Sequence, residues 1–169
     1  MEARKRILRL FFYSILALLF LTCVPNSAQA KIERNQLEDN QYLYRSLESL
    51  RDIDSQTWQV VAYYQDNNNY PYILRIVGYP GTLRLDHPWS LQVNAGRKYW
   101  DLEDITLMNP KISQDAREAA AEFDLSPLLK DLNNNRPLRL KLPKVFNDLP
   151  IPPYVVKEWR SIGEVKITE

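Results

Sequence analysis

The sequence predicts a mainly β protein: a small antiparallel β-sandwich or partly open β-barrel with two short inserted helices. Three observations predict it. Aromatic and β-branched residues alternate with a period of two in several short runs. Gly, Pro and Asn turn signals recur between those runs. Two late segments, Ala116–Phe123 and Leu125–Leu132, instead carry apolar residues at helical spacing. Short strands at this spacing suit a sandwich or barrel better than parallel βαβ units.

The first 30 residues read as a secretory signal peptide. Arg4, Lys5, Arg6 and Arg9 make a basic start, and Leu10–Val24 then runs without a charge. Ala28-Gln29-Ala30 supplies the small residues of a cleavage site, so processing is expected after Ala30. The uncharged run is shorter than the roughly 20 residues a spanning helix needs, so no retained membrane span is expected. Cys23 follows Phe20-Leu21-Thr22, too bulky a lead for a lipid-anchor signal. Lys31–Gln41 is a polar lead-in, and residues 42–169 form one β-rich domain.

Removing the leader changes the accounting. Four of the 22 basic residues and one of the 21 acidic ones fall within it, which leaves a net charge of −2. That balance gives no basic surface for nucleic acid. The sole cysteine is Cys23, so the processed chain has no disulfide, thiol nucleophile or thiolate metal site. Stability therefore rests on a packed core, for which the remaining length suffices.

Along the domain, Tyr42–Leu50 suits a helix or a strand, and its strand-rich continuation favours a strand. Thr57–Tyr64 places Trp58, Val60, Ala62 and Tyr64 on one face. Asp66-Asn67-Asn68-Asn69 turns the chain into Ile73–Val77. Gly78-Tyr79-Pro80-Gly81 is a turn signature, with Leu83 and Leu85 alternating beyond it, so Tyr72–Pro88 reads as a central hairpin. Trp89, Leu91 and Val93, then Tyr99–Leu102, continue the strands. Ser113 opens the first expected helix, running to Phe123. Ser126-Pro127 opens the second, as cap and first-turn proline. Leu138, Leu140 and Leu142 alternate with Arg139 and Lys141 in the clearest half-buried strand. Pro150, Pro152 and Pro153 form a rigid connection, and Tyr154–Trp159 and Val165–Ile167 close the domain as strands. Trp58, Leu140 and Trp159 are the expected core partners of the central hairpin.

Motifs for enzymatic chemistry are lacking. The chain has no Gly-x-Ser-x-Gly, no phosphate-cradling glycine loop and no His-Glu-x-x-His. No catalytic residue, metal or cofactor is expected. Asp101-Leu102-Glu103-Asp104 lacks the glycine and ligand spacing of a calcium loop and reads as a solvated turn. Four residues are what packing explains least, Arg75, Tyr79, Pro80 and His87, and with neighbouring Tyr72 they make up the expected binding residues. Arg75 stands in an apolar strand and needs a carboxylate, for example Asp52 or Glu158. Tyr63, Tyr64, Tyr70, Tyr72 and Tyr79 suit either strand packing or an interface. His87, the only histidine, is a hydrogen-bonded strand-end residue or a base.

Several ordered motifs resemble one family. They are Ser49-Leu50-Arg51-Asp52, Trp58-Gln59-Val60-Val61, Leu74-Arg75-Ile76-Val77-Gly78-Tyr79-Pro80-Gly81, His87-Pro88, Pro137-Leu138-Arg139-Leu140-Lys141-Leu142-Pro143, and Pro152-Pro153-Tyr154-Val155-Val156-Lys157-Glu158-Trp159. Together they resemble a cyanobacterial family of exported proteins, catalogued as domain of unknown function three thousand one hundred and twenty-two. The resemblance spans Tyr42 to Trp159. Tyr79 departs from it, standing where phenylalanine is expected, as do the Asn-rich loops. It implies a periplasmic or thylakoid-lumen setting but no activity and no catalytic residues.

The expected function is a non-enzymatic binding or accessory module whose partner is another protein. The compartment implied by the resemblance makes a photosynthetic membrane complex one such partner. Two alternatives stay open: a small-ligand carrier with a β-barrel cavity, and a hydrolase using His87 with a nearby carboxylate.

Overall fold

The computed structural model describes residues 33–36, 42–65, 69–79, 87–114 and 119–164. Among them, nine strands form two antiparallel sheets that do not close into a barrel. The first sheet has the order β1 (Glu33–Gln36), β2 (Tyr42–Arg51), β3 (Thr57–Gln65), β4 (Tyr72–Val77), β7 (Ala120–Asp124). The second has the order β6 (Tyr99–Leu102), β5 (Leu91–Asn94), β8 (Leu138–Leu142), β9 (Phe146–Ile151). A 3₁₀ turn at Thr106–Met108 leads into α1 (Pro110–Ser113), and α2 (Ser126–Asp131) and α3 (Pro153–Glu164) follow. The mainly β, two-sheet architecture is the one the sequence predicts, with three helices in place of two.

The alternation in β3 places Trp58, Val60, Ala62 and Tyr64 in one core with Leu74 and Ile76 of β4 and Phe123 of β7. Leu138, Leu140 and Leu142 of β8 enter the same core from the second sheet. Trp58 meets Phe146 edge-on at 5.0 Å between ring centres, one contact that joins the sheets. The backbone joins them too, where Ile53 N donates to Asp148 O at 3.1 Å. The expected partners Trp58, Leu140 and Trp159 are all fully buried in this core.

Helix α3 seals it. Val155, Val156, Trp159 and Ile162 are buried, a helical stripe starting just after Pro153 in the first turn. Ser46 Oγ donates to Glu158, and Tyr72 Oη donates to the Gly163 carbonyl at 3.3 Å. Both bonds seat the helix on the inner face of the first sheet. Burial pushes the Glu158 carboxyl above its usual range; the Ser46 bond opposes this and the Glu48 charge adds to it.

The sequence reading fails at three elements. The expected helix over Ser113–Phe123 does not reach its expected end: α1 ends at Ser113 and Ala120–Asp124 is β7, and residues 115–118 lie outside the described residues. That segment completes the first sheet beside β4 and buries Ala121 and Phe123, which outweighs the helix propensity of its alanines. The expected strand at Tyr154–Trp159 is the first half of α3. The "rigid connection" at Pro150 is the end of β9, an edge strand, where the missing proline N–H is tolerated. Of the expected central hairpin, Tyr72–Val77 is β4, whose two edges pair with β3 and β7. Pro80–Asp86 and Val165–Ile167 themselves lie outside the described residues.

Candidate functional site

The second face of the first sheet is turned away from the main core. Because successive side chains alternate, the residues unused by the core share it in register rows. One row is Leu47, Val61, Arg75, Glu122; the next is Arg45, Tyr63, Ile73, Asp124. The chain after β6 is drawn onto this face. Asp124 N donates to Glu103 O at 3.0 Å and Ile105 N to Glu122 O at 2.8 Å, so residues 103–105 run along the free side of β7. Ile105 then packs on Tyr63 and Ile73 as a small second core, with Val61 and Tyr70 against it.

Between the 105–111 segment and the sheet lies a half-open groove of about 640 Å³. Its floor is a polar cluster centred on Glu122, which is 2% exposed. Arg75 Nε donates to Glu122 Oε1 at 2.8 Å and Arg75 Nη2 at 2.5 Å. Tyr63 Oη donates to the same oxygen at 2.6 Å, and Asn109 Nδ2 donates to Oε2 at 3.1 Å. Arg75 Nη2 also reaches Tyr63 Oη at 3.2 Å. Burial first, and then the Glu122 bond and charge, push the Tyr63 phenol far above its usual range. Asn109 is positioned as the cap of α1, its side chain accepting from Lys111 N at 3.1 Å. Arg45, Gln65, Tyr70, Ile105, Met108, Pro110 and Lys111 complete the walls.

The five sequence-selected residues do not come together. Arg75 lies in the groove, paired with Glu122 and not with Asp52 or Glu158. Asp52 instead holds the Trp58 indole at 2.9 Å and the amides of Asp54 and Gln56, and Glu158 lies on the opposite face against Ser46. Tyr72 faces the main core, tilted against Tyr64 at 5.1 Å. Tyr79 is 71% exposed just beyond β4. Pro80 lies outside the described residues. His87 is at a separate place, with Nδ1 2.7 Å from Asp104 Oδ2.

That pair is a clasp between chain segments. Asp104 also accepts from Trp89 N, Thr106 N and Thr106 Oγ1 at 3.0, 3.0 and 2.5 Å. Burial acts to raise the Asp104 carboxyl, but the bonds from Thr106, His87 and Trp89 outweigh it and hold the carboxyl below its usual range. A carboxylate lowered on folding stabilises fully above the unfolded value near pH 3.9, and that contribution is lost as pH falls through the folded value. Asp104→Asn is therefore expected to lower unfolding free energy by about 2 kcal/mol at pH 7 and to flatten the acid limb below about pH 4. Denaturant titrations across pH 2–7 check it; an unchanged acid limb would contradict the clasp. No group of three or more His, Cys, Asp or Glu converges among the described residues.

Sequence reading missed Glu122, Asn109, Met108, Lys111 and Arg45 as groove residues. A signal existed for Glu122: read at a period of two, Ala121 and Phe123 face inward and Glu122 outward.

Fold and site thus define a small antiparallel two-sheet β domain with a polar-floored groove on the outer face of one sheet. The chain belongs to the family described as "Protein of unknown function (DUF3122)", whose model matches residues 30–162. That span runs from before β1 into the last turn of α3. No curated protein and no solved structure matches the chain. No helix among the described residues is long and apolar enough to cross a membrane.

Proposed function

We propose that this protein is an exported, non-enzymatic binding module that meets a protein partner through the outer face of its first sheet. It is processed after Ala30 and works in the periplasm or thylakoid lumen, assisting a membrane complex, a photosynthetic one included. The carrying observation is the outer face itself. Leu47 is 46% exposed there, and Leu107 and Met108 are 64% and 61% exposed on the turn that walls the groove. Large exposed apolar side chains on the face and the turn that bear a half-open groove favour a contact surface over a solvated one. Two further points support a binding role over the alternatives. Among the described residues, the core around Trp58, Phe123 and Trp159 occupies the space between the sheets, which favours a surface contact over a barrel-type carrier. Asp104 is occupied by four hydrogen bonds that hold its own chain, which suits structure better than base catalysis with His87.

A photo-crosslinking residue placed at Leu47 or Met108, in cells that make the protein, tests this reading. The expected outcome is one discrete protein adduct from both positions, on a chain whose N-terminus is Lys31. Lys141, exposed on the second sheet, serves as the control and should give none. No adduct from the outer face, or the same adduct from Lys141, would overturn it.

A further inference from the structure

We infer that the groove receives an acidic–apolar peptide segment of the partner, in extended form, with a carboxylate placed between Arg75 and Lys111; this rests on the protein-binding reading above. The charge inventory carries the inference. Arg75 and Lys111 line the groove as cations beside the carboxylate of Glu122. That carboxylate is buried and occupied: Arg75 and Tyr63 donate to one oxygen, Asn109 to the other. Arg75 neutralises it, and Lys111 adds a positive charge at the groove wall.

The donor inventory points the same way. Arg75 uses Nε and Nη2 on Glu122 and Tyr63, while Nη1 makes no bond among the described residues and the side chain is 36% exposed. Lys111 is exposed on the wall beside it and brings three donors and no acceptor. Tyr63 donates its only hydroxyl proton to Glu122. A guanidinium fork with one free arm favours a planar acceptor such as a carboxylate. Beside the polar Gln65 the walls present Tyr70, Ile105, Met108 and Pro110, and Val61 and Ile73 add apolar surface from the sheet. An occupant therefore needs acceptors at the floor and apolar groups against the walls.

The dimensions favour a peptide. From β2 to β7 the outer face crosses three strand intervals, about 14 Å at the usual spacing. About four extended residues span that distance at roughly 3.3 Å each. Side chains that alternate along such a segment would place acids and apolar groups on opposite sides, matching floor and walls.

Amide NMR titration of the chain processed after Ala30 tests the inference with three capped pentapeptides: Leu-Glu-Phe-Asp-Leu, its neutral counterpart Leu-Gln-Phe-Asn-Leu and its basic counterpart Leu-Lys-Phe-Lys-Leu. The acidic peptide is expected to shift Val61, Tyr63, Ile73 and Met108, and to bind at least ten-fold more tightly than the neutral one. Lys111→Glu, an exposed change with an unaltered unfolding midpoint expected, should abolish that preference. If the neutral or basic peptide binds the groove as tightly, acid recognition is overturned while the outer face remains the contact surface. If no peptide shifts the groove residues, the peptide inference is overturned. The crosslinks at Leu47 and Met108 then decide the protein-binding reading separately.

Discussion

Arg75→Met is expected to lower the unfolding free energy by about 3 kcal/mol, because it leaves the Glu122 carboxylate buried without its cation. Glu122 is 2% exposed and Arg75 36%, so only one end of the pair is fully removed from water. Water reaching Arg75 keeps the loss near the lower end of the range for broken buried pairs, about 3–5 kcal/mol. The bonds from Tyr63 and Asn109 remain, but neither supplies a positive charge. Replacing both partners, Arg75→Met with Glu122→Leu, removes the stranded charge and should recover more than half of the loss. Urea denaturation of the single and double variants checks both statements. A single variant within about 0.5 kcal/mol of the parent, the usual range for a surface change, would refute the role given to the pair.

The second large effect lies in the core. Trp58→Ala is expected to cost about 4 kcal/mol, the range for emptying a fully buried aromatic site. Trp58 fills the junction of the sheets through its edge contact with Phe146. Its indole Nε1 also donates to Asp52 Oδ2 at 2.9 Å, and Asp52 Oδ1 accepts from the amides of Asp54 and Gln56. The loss is thus both a cavity and a loosened turn. Trp58→Phe keeps most of the volume and loses the indole donor, so about 1–2 kcal/mol is expected. Thermal or denaturant unfolding separates them; equal losses would mean that the hydrogen bond, not the volume, dominates.

Much of the β architecture was legible because one face of each strand is buried and the other is not. Thr57–Gln65 and Leu138–Leu142 show the alternation that such burial imposes, and both are strands as expected. The misread elements are those where local composition and tertiary placement disagree. Ala116, Ala119 and Ala120 favour a helix locally, yet Ala120–Asp124 fills the open edge of β4. Val155-Val156 favours a strand locally, yet Val155, Val156, Trp159 and Ile162 recur at helical spacing and bury one stripe.

The candidate site was legible only in part, and for the same reason. Arg75 was visible as a charge in an apolar strand that required a carboxylate. Its partner was not, since Glu122 sat in the segment read as a helix, 47 positions away. Once that segment is a strand, the register sets Arg75 opposite Glu122 and the pair follows. The tyrosines divided in the same way: Tyr63 and Tyr64 are neighbours in sequence but face the groove and the core respectively.

By itself, the sequence determined the β class, most strands, the core residues Trp58, Leu140 and Trp159, and the need of Arg75 for an acid. These follow from periodicity and from the cost of burying charge, which are local properties of the chain. Only the tertiary structure decided that Ala120–Asp124 is a strand, that Pro153–Glu164 is a helix, and that Arg75, Glu122, Tyr63 and Asn109 meet under one groove. Those outcomes depend on which sheet edge stands open and which core face needs covering, and distant segments of the chain set both.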